Sequence, residues 1–488
     1  MMAALAQRAR TLGDVLGGGA GRYARLEITD LTLDSRAVRP GAAFFALRGA
    51  REHGLTYARA ALDRGAAVIL YEPDPNGGEP PQPSVAVPNL KARLGELARA
   101  FYAAAEPTLI GVTGTNGKTT VAYLLAQVLS RPRSPCAYVG TLGYGVPPAI
   151  TPHALTTPDC LTLHRELSEL GVPRAAMEVS SHALKQERVA GLAFHTAVFT
   201  NLTRDHLDEH GDLASYGAAK RKLFTIPGLS YAVLNADDAF AATIAERLVS
   251  GCTLVRTSLR SSAVELSARL KRSDLAGIEL DVSGKYGAAR LESKLIGAFN
   301  AENLLSALGA LLAQGMALPA ACAGLAAAKP APGRMEVLGG PPDRPWVVVD
   351  YAHTPDALAR VLTTLESAVI GELWCVFGCG GDRDRGKRSM MGAIAADLAD
   401  RIVLTDDNPR SEDPARIVDD IRQGVADHPR VSVIHDRRTA LMTAIERARV
   451  GDVVLVAGKG HEAEQLVGAE RRVFSDRAVV AEILGVAA

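Results

Sequence analysis

Aromatic side chains are scarce in this 488-residue sequence: Phe, Tyr and Trp together make up 5%, while the hydrophobic share reaches 48%. An apolar core with few large rings is built from small and aliphatic residues, a mix suited to helices packed closely on sheets. An excess of either charge is missing too, with Lys+Arg and Asp+Glu at 54 each. That balance removes the sequence-wide reason to expect nucleic acid or an anionic membrane as a partner. Cysteine is thin: Cys136, Cys160, Cys252, Cys322, Cys375 and Cys379 are spread along the chain. No disulfide framework is implied, and reduced thiols in a cytoplasmic protein are predicted. Cys375 and Cys379 stand four apart without a second pair, which favours buried thiols over a zinc site. Residues 307–328 form the one stretch that imitates a membrane span. Gln314 and Pro319 interrupt it, so two small-residue helices are predicted there instead. The opening residues lack a continuous apolar core, and no secretory leader is predicted. Internal repeats and low-complexity tracts are also absent.

The length predicts two or three domains. Punctuation divides the chain into residues 1–106, 107–332 and 333–488. The first part ends in a Pro-rich stretch, 73–88, and a helical run, 90–105. A short apolar strand, 109–113, then enters the Gly-rich GTNGKTT turn, and residues 121–130 follow with helical spacing. In the third part, strands are predicted at 346–349, 373–377, 401–404, 431–434 and 453–456, alternating with helices such as 356–367. The predicted fold class is α/β with three domains: a central P-loop-type ATPase domain and a C-terminal doubly wound, Rossmann-like domain follow the first. Ligands of such sheets bind beyond the carboxyl ends of the strands, where Asp350, Asp407 and Lys459 fall.

Strand, Gly-rich turn, helix is the context a phosphate loop requires. The backbone of Gly114, Thr115, Asn116 and Gly117 can cradle phosphate, with Lys118 on the β/γ oxygens, Thr119 on Mg²⁺ and Thr120 behind it. The turn is not a strict Walker A, because Val112 stands where its first glycine belongs. Glu178, inside Ala-Met-Glu-Val, is costly to bury unpaired and is expected to meet a metal or an arginine. The plain alternative is an edge-strand glutamate facing water. The segment NLTRDHLDEHG, residues 201–211, crowds charged and metal-competent side chains after the apolar 197–199.

GTNGKTT, MEVSSH, NLTRDHLDEHG and VDYAHTPDAL together resemble the Mur ligase family of peptidoglycan biosynthesis, over nearly the whole chain. LTTPD, FNAEN, GRME, GGDRDRGKR, DDNPR and GKGHE are similar to the member that adds the third residue of the stem peptide. The resemblance implies ATP as co-substrate and Mg²⁺, two ions, as cofactor. It assigns magnesium to Thr119, Glu178, His206 and Lys220, the last as a carbamate, N6-carboxylysine. Carbamylation would turn that cation into a carboxylate-like ligand. Without the resemblance, Lys220-Arg221-Lys222 reads as an exposed basic turn. Asn300, Asn303, Arg334, Asp350 and His353 match adenine and nucleotide contacts, in an arrangement with ATP between two domains. Ser35 and His53 match the uridine site, and Thr156, Thr157, Ser180 and Arg188 match positions that meet the muramoyl and pyrophosphate portion. Asp34-Ser35-Arg36 alone would also fit a turn with a capping side chain.

The implied reaction joins meso-diaminopimelate to UDP-N-acetylmuramoyl-L-alanyl-D-glutamate through an acyl phosphate, in a cytoplasmic monomer with no nucleic-acid or membrane partner. A pocket for diaminopimelate needs a guanidinium for the distal carboxylate, and a lysine pocket does not. Arg410 of DDNPR and Arg383 of GGDRDRGKR supply arginines, Asp407 and Asn408 flank them, and Gly458 and Glu462 of GKGHE can meet the distal ammonium. Lysine or ornithine as the added amino acid remains the alternative. Another ligase of the family, including the folylpolyglutamate type, would share the ATP site without DDNPR and GKGHE together. A non-catalytic nucleotide-binding relative would be expected to lack Lys118, Glu178, His206 or Lys220, and all four are present.

Overall fold

A computed structural model describes residues 9–49, 52–73, 80–102, 107–153, 155–203, 207–425 and 429–486. It contains two compact units, Met1–Val255 and Arg256–Ala488. In the first, a parallel sheet orders the strands Asp30–Thr32, Ala42–Ala46, Val68–Tyr71 and Ser84–Ala86. Ala42–Ala46 is buried at every position, as an interior parallel strand covered on both faces must be. The helix Leu90–Tyr102 follows, and the end of the predicted run, 103–105, lies outside the described residues. It buries Leu90, Leu94, Leu97, Ala98 and Phe101, one stripe at helical spacing.

The same unit holds a larger sheet, in the order Ala149–Thr151, Gly143–Val146, Cys136–Gly140, Arg174–Glu178, Thr108–Thr113, Phe194–Phe199, Tyr231–Asn235. The last five are parallel and the first two form an antiparallel margin. The strand that enters the phosphate loop therefore runs mid-sheet, with Arg174–Glu178 on one side and Phe194–Phe199 on the other. The helix predicted from 121 begins earlier, as Lys118–Leu129, because Gly117 turns the chain at φ +86° and starts it there.

The second unit carries antiparallel strands Leu266–Asp274, Gly277–Gly284 and Gly287–Ser293. Helices Phe299–Ala313 and Leu318–Ala327 occupy the membrane-like stretch as two pieces. Among the described residues no helix is long and apolar enough to cross a membrane. The C-terminal sheet orders Glu336–Gly339, Trp346–Asp350, Val453–Ala457, Leu373–Phe377, Arg401–Leu404 and Val431–Val433. Five strands are parallel as predicted. The sixth, Glu336–Gly339, is an antiparallel edge that its mixed, half-buried residues did not announce. Apolar clusters cover both faces, around Leu358, Leu362 and Ile402 on one and Val454, Leu441 and Val480 on the other. Cys375 and Cys379 are buried thiols, and burial pushes the Cys379 thiol up to about 12. No metal-binding cluster of His, Cys, Asp or Glu occurs among the described residues.

Candidate functional site

The phosphate loop is braced from the neighbouring strand ends. Gly114 sits at φ +151°, and a Cβ there would lie 1.9 Å from Thr200 Oγ1, so only glycine fits the turn. Thr115 N donates to Asn201 O at 2.8 Å, Asn116 N donates to Asn201 Oδ1 at 2.9 Å, and Thr200 Oγ1 donates to Asn116 O at 2.6 Å. Lys118 Nζ folds back onto the Gly114 and Thr115 carbonyls at 3.0 and 2.8 Å. Thr119 and Thr120 are buried in the first turn of the helix. Lys220 reaches the same loop from the helix Leu213–Arg221. It is 1% exposed, donates to Gly114 O at 2.7 Å and lies 4.1 Å from the Tyr216 ring centroid. The reading of Lys220 as an exposed basic turn is thereby overturned.

Glu178 ends a strand that runs between two others, not at an edge, and is 1% exposed. Its partners among the described residues are hydroxyls and an amide; of the metal or arginine that the sequence suggested, no arginine is among them. Tyr138 Oη donates to Oε1 at 2.5 Å, Thr141 N to Oε1 at 2.8 Å, and Thr141 Oγ1 to Oε2 at 3.1 Å. Tyr138 and Thr141 were not legible as site residues, since they sit in and after an ordinary apolar strand. His206 lies outside the described residues.

The residues matched to the muramoyl portion gather on Glu178. Thr157 Oγ1 donates to the Glu178 carbonyl at 2.9 Å and accepts from Ser180 N at 3.2 Å. Arg188 Nη1 donates to Thr157 O at 2.8 Å, and Thr156 Oγ1 lies 3.2 Å from Thr141 Oγ1. Ser180 caps the short helix Ser181–Lys185. Ser35 and His53 follow adjacent parallel strands of the first sheet, so both stand at its carboxyl edge. Asp34 caps the turn Ser35–Ala37. His53 Nδ1 accepts from Leu55 N and its Nε2 donates to Glu72 O, so its ring shapes the turn it sits in. A separate cavity of about 280 Å³, lined by Tyr102, His164, Phe194 and His195 among others, lies at the amino ends of the central strands, away from the phosphate loop.

In the second unit, Asn300 and Asn303 are buried and linked, Asn303 Nδ2 donating to Asn300 Oδ1 at 2.8 Å. Asp350 accepts from Met335 N and Ala352 N, both at 2.8 Å. Burial raises its carboxyl above the usual range, against the pull of Arg334 and those two amides. The Arg334 guanidinium lies 4.4 Å from the Tyr351 ring centroid, and His353 packs edge-on against the same ring.

DDNPR and GKGHE meet at the carboxyl end of the C-terminal sheet. Asp407 Oδ2 would be 2.7 Å from any Cβ on Gly458, whose φ of +112° also demands glycine. Asn408 Nδ2 donates to Glu462 Oε2 at 2.8 Å. A hairpin, Glu464–Val467 with Glu470–Val473, straps the loop: Gln465 Nε2 donates to Asp407 O, Leu466 N to Asn408 Oδ1, and Arg410 N to Leu466 O. Arg410 itself has φ +54°, and its Nη1 donates to Gly381 O at 2.8 Å. Arg383 is exposed in the adjoining loop. Ser411 Oγ donates to Asp382 Oδ1 at 2.6 Å, and Asp382 N to Glu412 Oε1 at 2.6 Å, which ties the two arginine-bearing loops together. The hairpin and Glu412 lay outside the sequence reading, because neither carries a pattern of its own.

Three stretches match known family descriptions: residues 27–102 "Mur ligase family, catalytic domain", 112–311 "Mur ligase middle domain" and 333–460 "Mur ligase, glutamate ligase domain". Two relatives carry the name UDP-N-acetylmuramoyl-L-alanyl-D-glutamate--2,6-diaminopimelate ligase. One, from Alkalilimnicola ehrlichii, is 49% identical over 93% of this chain and 94% of its own. The other, from Pseudomonas aeruginosa, is 48% identical over 92% and 94%. A solved structure of a ligase with that name is 39% identical, with a TM-score of 0.69 over 95% of this chain and 96% of that one.

Proposed function

The chain belongs to the Mur ligase family, an ATP-dependent amide-bond-forming ligase, and from that premise we propose that it adds meso-2,6-diaminopimelate to UDP-N-acetylmuramoyl-L-alanyl-D-glutamate in the cytoplasm. The observation that carries the choice of amino acid is the joined DNPR and GKGHE pocket. It holds a guanidinium, Arg410, for a distal carboxylate, and the Glu462 carboxylate with the Gly458 carbonyl for the ammonium beside it. Arg383 approaches from the neighbouring loop.

In the proposed reaction the γ-phosphoryl group of ATP passes to one of the two free carboxylates of the D-glutamate residue, giving an acyl phosphate and ADP. The amine of the incoming amino acid attacks that carbonyl carbon, and the tetrahedral intermediate collapses to the amide and phosphate. The loop amides of Gly114–Gly117 and the Lys118 ammonium hold and neutralise the phosphates. Asn300, Asn303, Arg334, Asp350 and His353 take the nucleoside, Ser35 and His53 the uridine, and Thr156, Thr157, Ser180 and Arg188 the muramoyl and pyrophosphate portion. Thr119 and Glu178 are hard oxygen donors of the kind Mg²⁺ selects. Among the described residues Glu178 Oε2 takes a single donor, at 3.1 Å, and so keeps acceptor capacity. With His206 and Lys220 as a carbamate they would hold Mg²⁺, which when bound offsets the charge on the transferring phosphoryl oxygens.

The test is phosphate release from ATP with UDP-N-acetylmuramoyl-L-alanyl-D-glutamate present and the amino acid varied. Meso-diaminopimelate should support turnover far above lysine or ornithine, and ATP with Mg²⁺ alone should give almost none. Preference for lysine would overturn the amino-acid assignment; rapid turnover without the UDP substrate would count against the reaction scheme.

A further inference from the structure

The amino-acid pocket contains a cation that none of these roles uses. Lys459 follows the strand Val453–Ala457 and is 0% exposed. Its ammonium has three protons and finds three acceptors: Asn408 Oδ1 at 3.1 Å, Glu462 Oε2 at 3.0 Å and the Glu464 carbonyl at 2.7 Å. These acceptors belong to three segments, the DNPR loop, the GHE turn and the start of the hairpin. Asn408 completes the unit by donating to the same Glu462 oxygen at 2.8 Å. Glu462 Oε2 thus takes two donors, while Oε1 takes none among the described residues.

We propose that Lys459 is a positioning and specificity-determining residue for the incoming amino acid. It fixes Asn408 and Glu462 as one body and offsets the Glu462 charge, so that the pocket takes a distal centre bearing both ammonium and carboxylate in preference to a lone ammonium. The physical reason is the company that a ligand ammonium meets on Glu462 Oε1. A full positive charge, on a lysine that is itself fully buried, already stands 3.0 Å from the other oxygen, and at that distance water screens it only in part. A lone ammonium gains little from a carboxylate half-neutralised in this way. A zwitterionic centre brings its own anion, for which Arg410 stands ready, and so satisfies both ends. The buried ammonium in turn is tolerated because all three protons are held.

This inference rests on the reading of the pocket as the distal-end site. The experiment measures kcat and KM for meso-diaminopimelate and L-lysine in the wild type, Lys459→Met, Glu462→Gln and the double variant Lys459→Met/Glu462→Gln. KM values for ATP and the UDP substrate are measured alongside, with melting temperatures. Lys459→Met should raise KM for diaminopimelate about 10- to 100-fold, the range for losing hydrogen bonds to a charged group. The kcat should fall much less, and the preference over lysine should drop at least about tenfold by the same loss. KM for the UDP substrate should stay within about two-fold, because its assigned residues lie in the other unit. Because Lys459 acts through Glu462, adding Lys459→Met to Glu462→Gln should change little further. The double variant strands no buried charge, so it carries the test if Lys459→Met fails to fold.

Three results would overturn the proposal: an unchanged diaminopimelate KM in a folded variant, all three KM values moving together, or effects of the two substitutions that simply multiply. A wild type that prefers lysine would instead overturn the diaminopimelate reading itself.

Discussion

Arg410 presents its guanidinium from a backbone at φ +54°, a conformation that costs an ordinary side chain about 1–2 kcal/mol. The hairpin holds it there, with Arg410 N on Leu466 O at 3.0 Å and Gly468 N on Arg410 O at 2.6 Å. Arg410→Ala should therefore act on the side chain alone. It should cost about 2–5 kcal/mol in kcat/KM with diaminopimelate, or about 30- to several-thousand-fold, by stranding a carboxylate. Lysine has no carboxylate to strand, and its use should change little. Arg410→Lys should rescue poorly, since one ammonium cannot reproduce the planar fork. Steady-state kinetics with both amino acids checks this, and an equal loss for both would remove Arg410 from that role. Lys220→Ala should abolish activity and be partly restored by short carboxylic acids that replace the carbamate; an active Lys220→Ala enzyme would remove the modification from the mechanism. Motifs made Lys118, Glu178 and Lys220 legible, but Tyr138 and Thr141 became visible only through their bonds to Glu178.

At the scale of elements, a second buried cation besides Lys459 holds the loops around the amino-acid pocket. Arg388, on the helix Gly386–Leu398, is 0% exposed. It donates to Glu412 Oε1 and Oε2 at 3.0 and 3.1 Å and to Asp420 of the helix Pro414–Val425 at 2.8 Å. The Arg388 guanidinium and the Asp382 amide hold the Glu412 carboxyl at about 2, below its ordinary 4.5. A carboxyl depressed by folding stabilises the folded state fully above its unfolded value, and that contribution is lost as pH falls through the folded one. Denaturant midpoints of wild type and Glu412→Gln should thus differ most above pH 4.5 and converge as pH falls to about 2. A pH-independent difference would show that the ion pair is not the source. Element types followed from periodicity: strands 373–377 and 401–404 stand where predicted. The antiparallel edge Glu336–Gly339 did not follow, since edge strands are short and bury little.

Across the whole molecule, the residues assigned to the UDP substrate lie in the unit Met1–Val255, and those assigned to the amino acid lie in Arg256–Ala488. Binding should then protect different backbone amides from exchange. The UDP substrate at about 100 times its Kd stabilises the amides it covers by up to about 2.7 kcal/mol. That protection should appear around Ser35, His53, Thr157 and Ser180. Diaminopimelate should protect residues 380–383, 407–412 and 458–468. Hydrogen exchange with each ligand alone reads this directly, and diaminopimelate protection confined to the first unit would move the amino-acid site.

The sequence by itself determined the α/β class, the phosphate loop, the family and the residue types of the amino-acid pocket, because each rests on local periodicity or on side chains a few positions apart. Only the tertiary structure decided which partners those side chains keep. Glu178 takes Tyr138, in a strand forty residues earlier, and Thr141, just after it. Lys220 turns inward onto Gly114 across 106 residues of chain. Lys459 closes on three segments at once. Burial sets these choices: a polar group taken from water must find its bonds among whatever the packed strands bring beside it, and sequence spacing does not say what that will be.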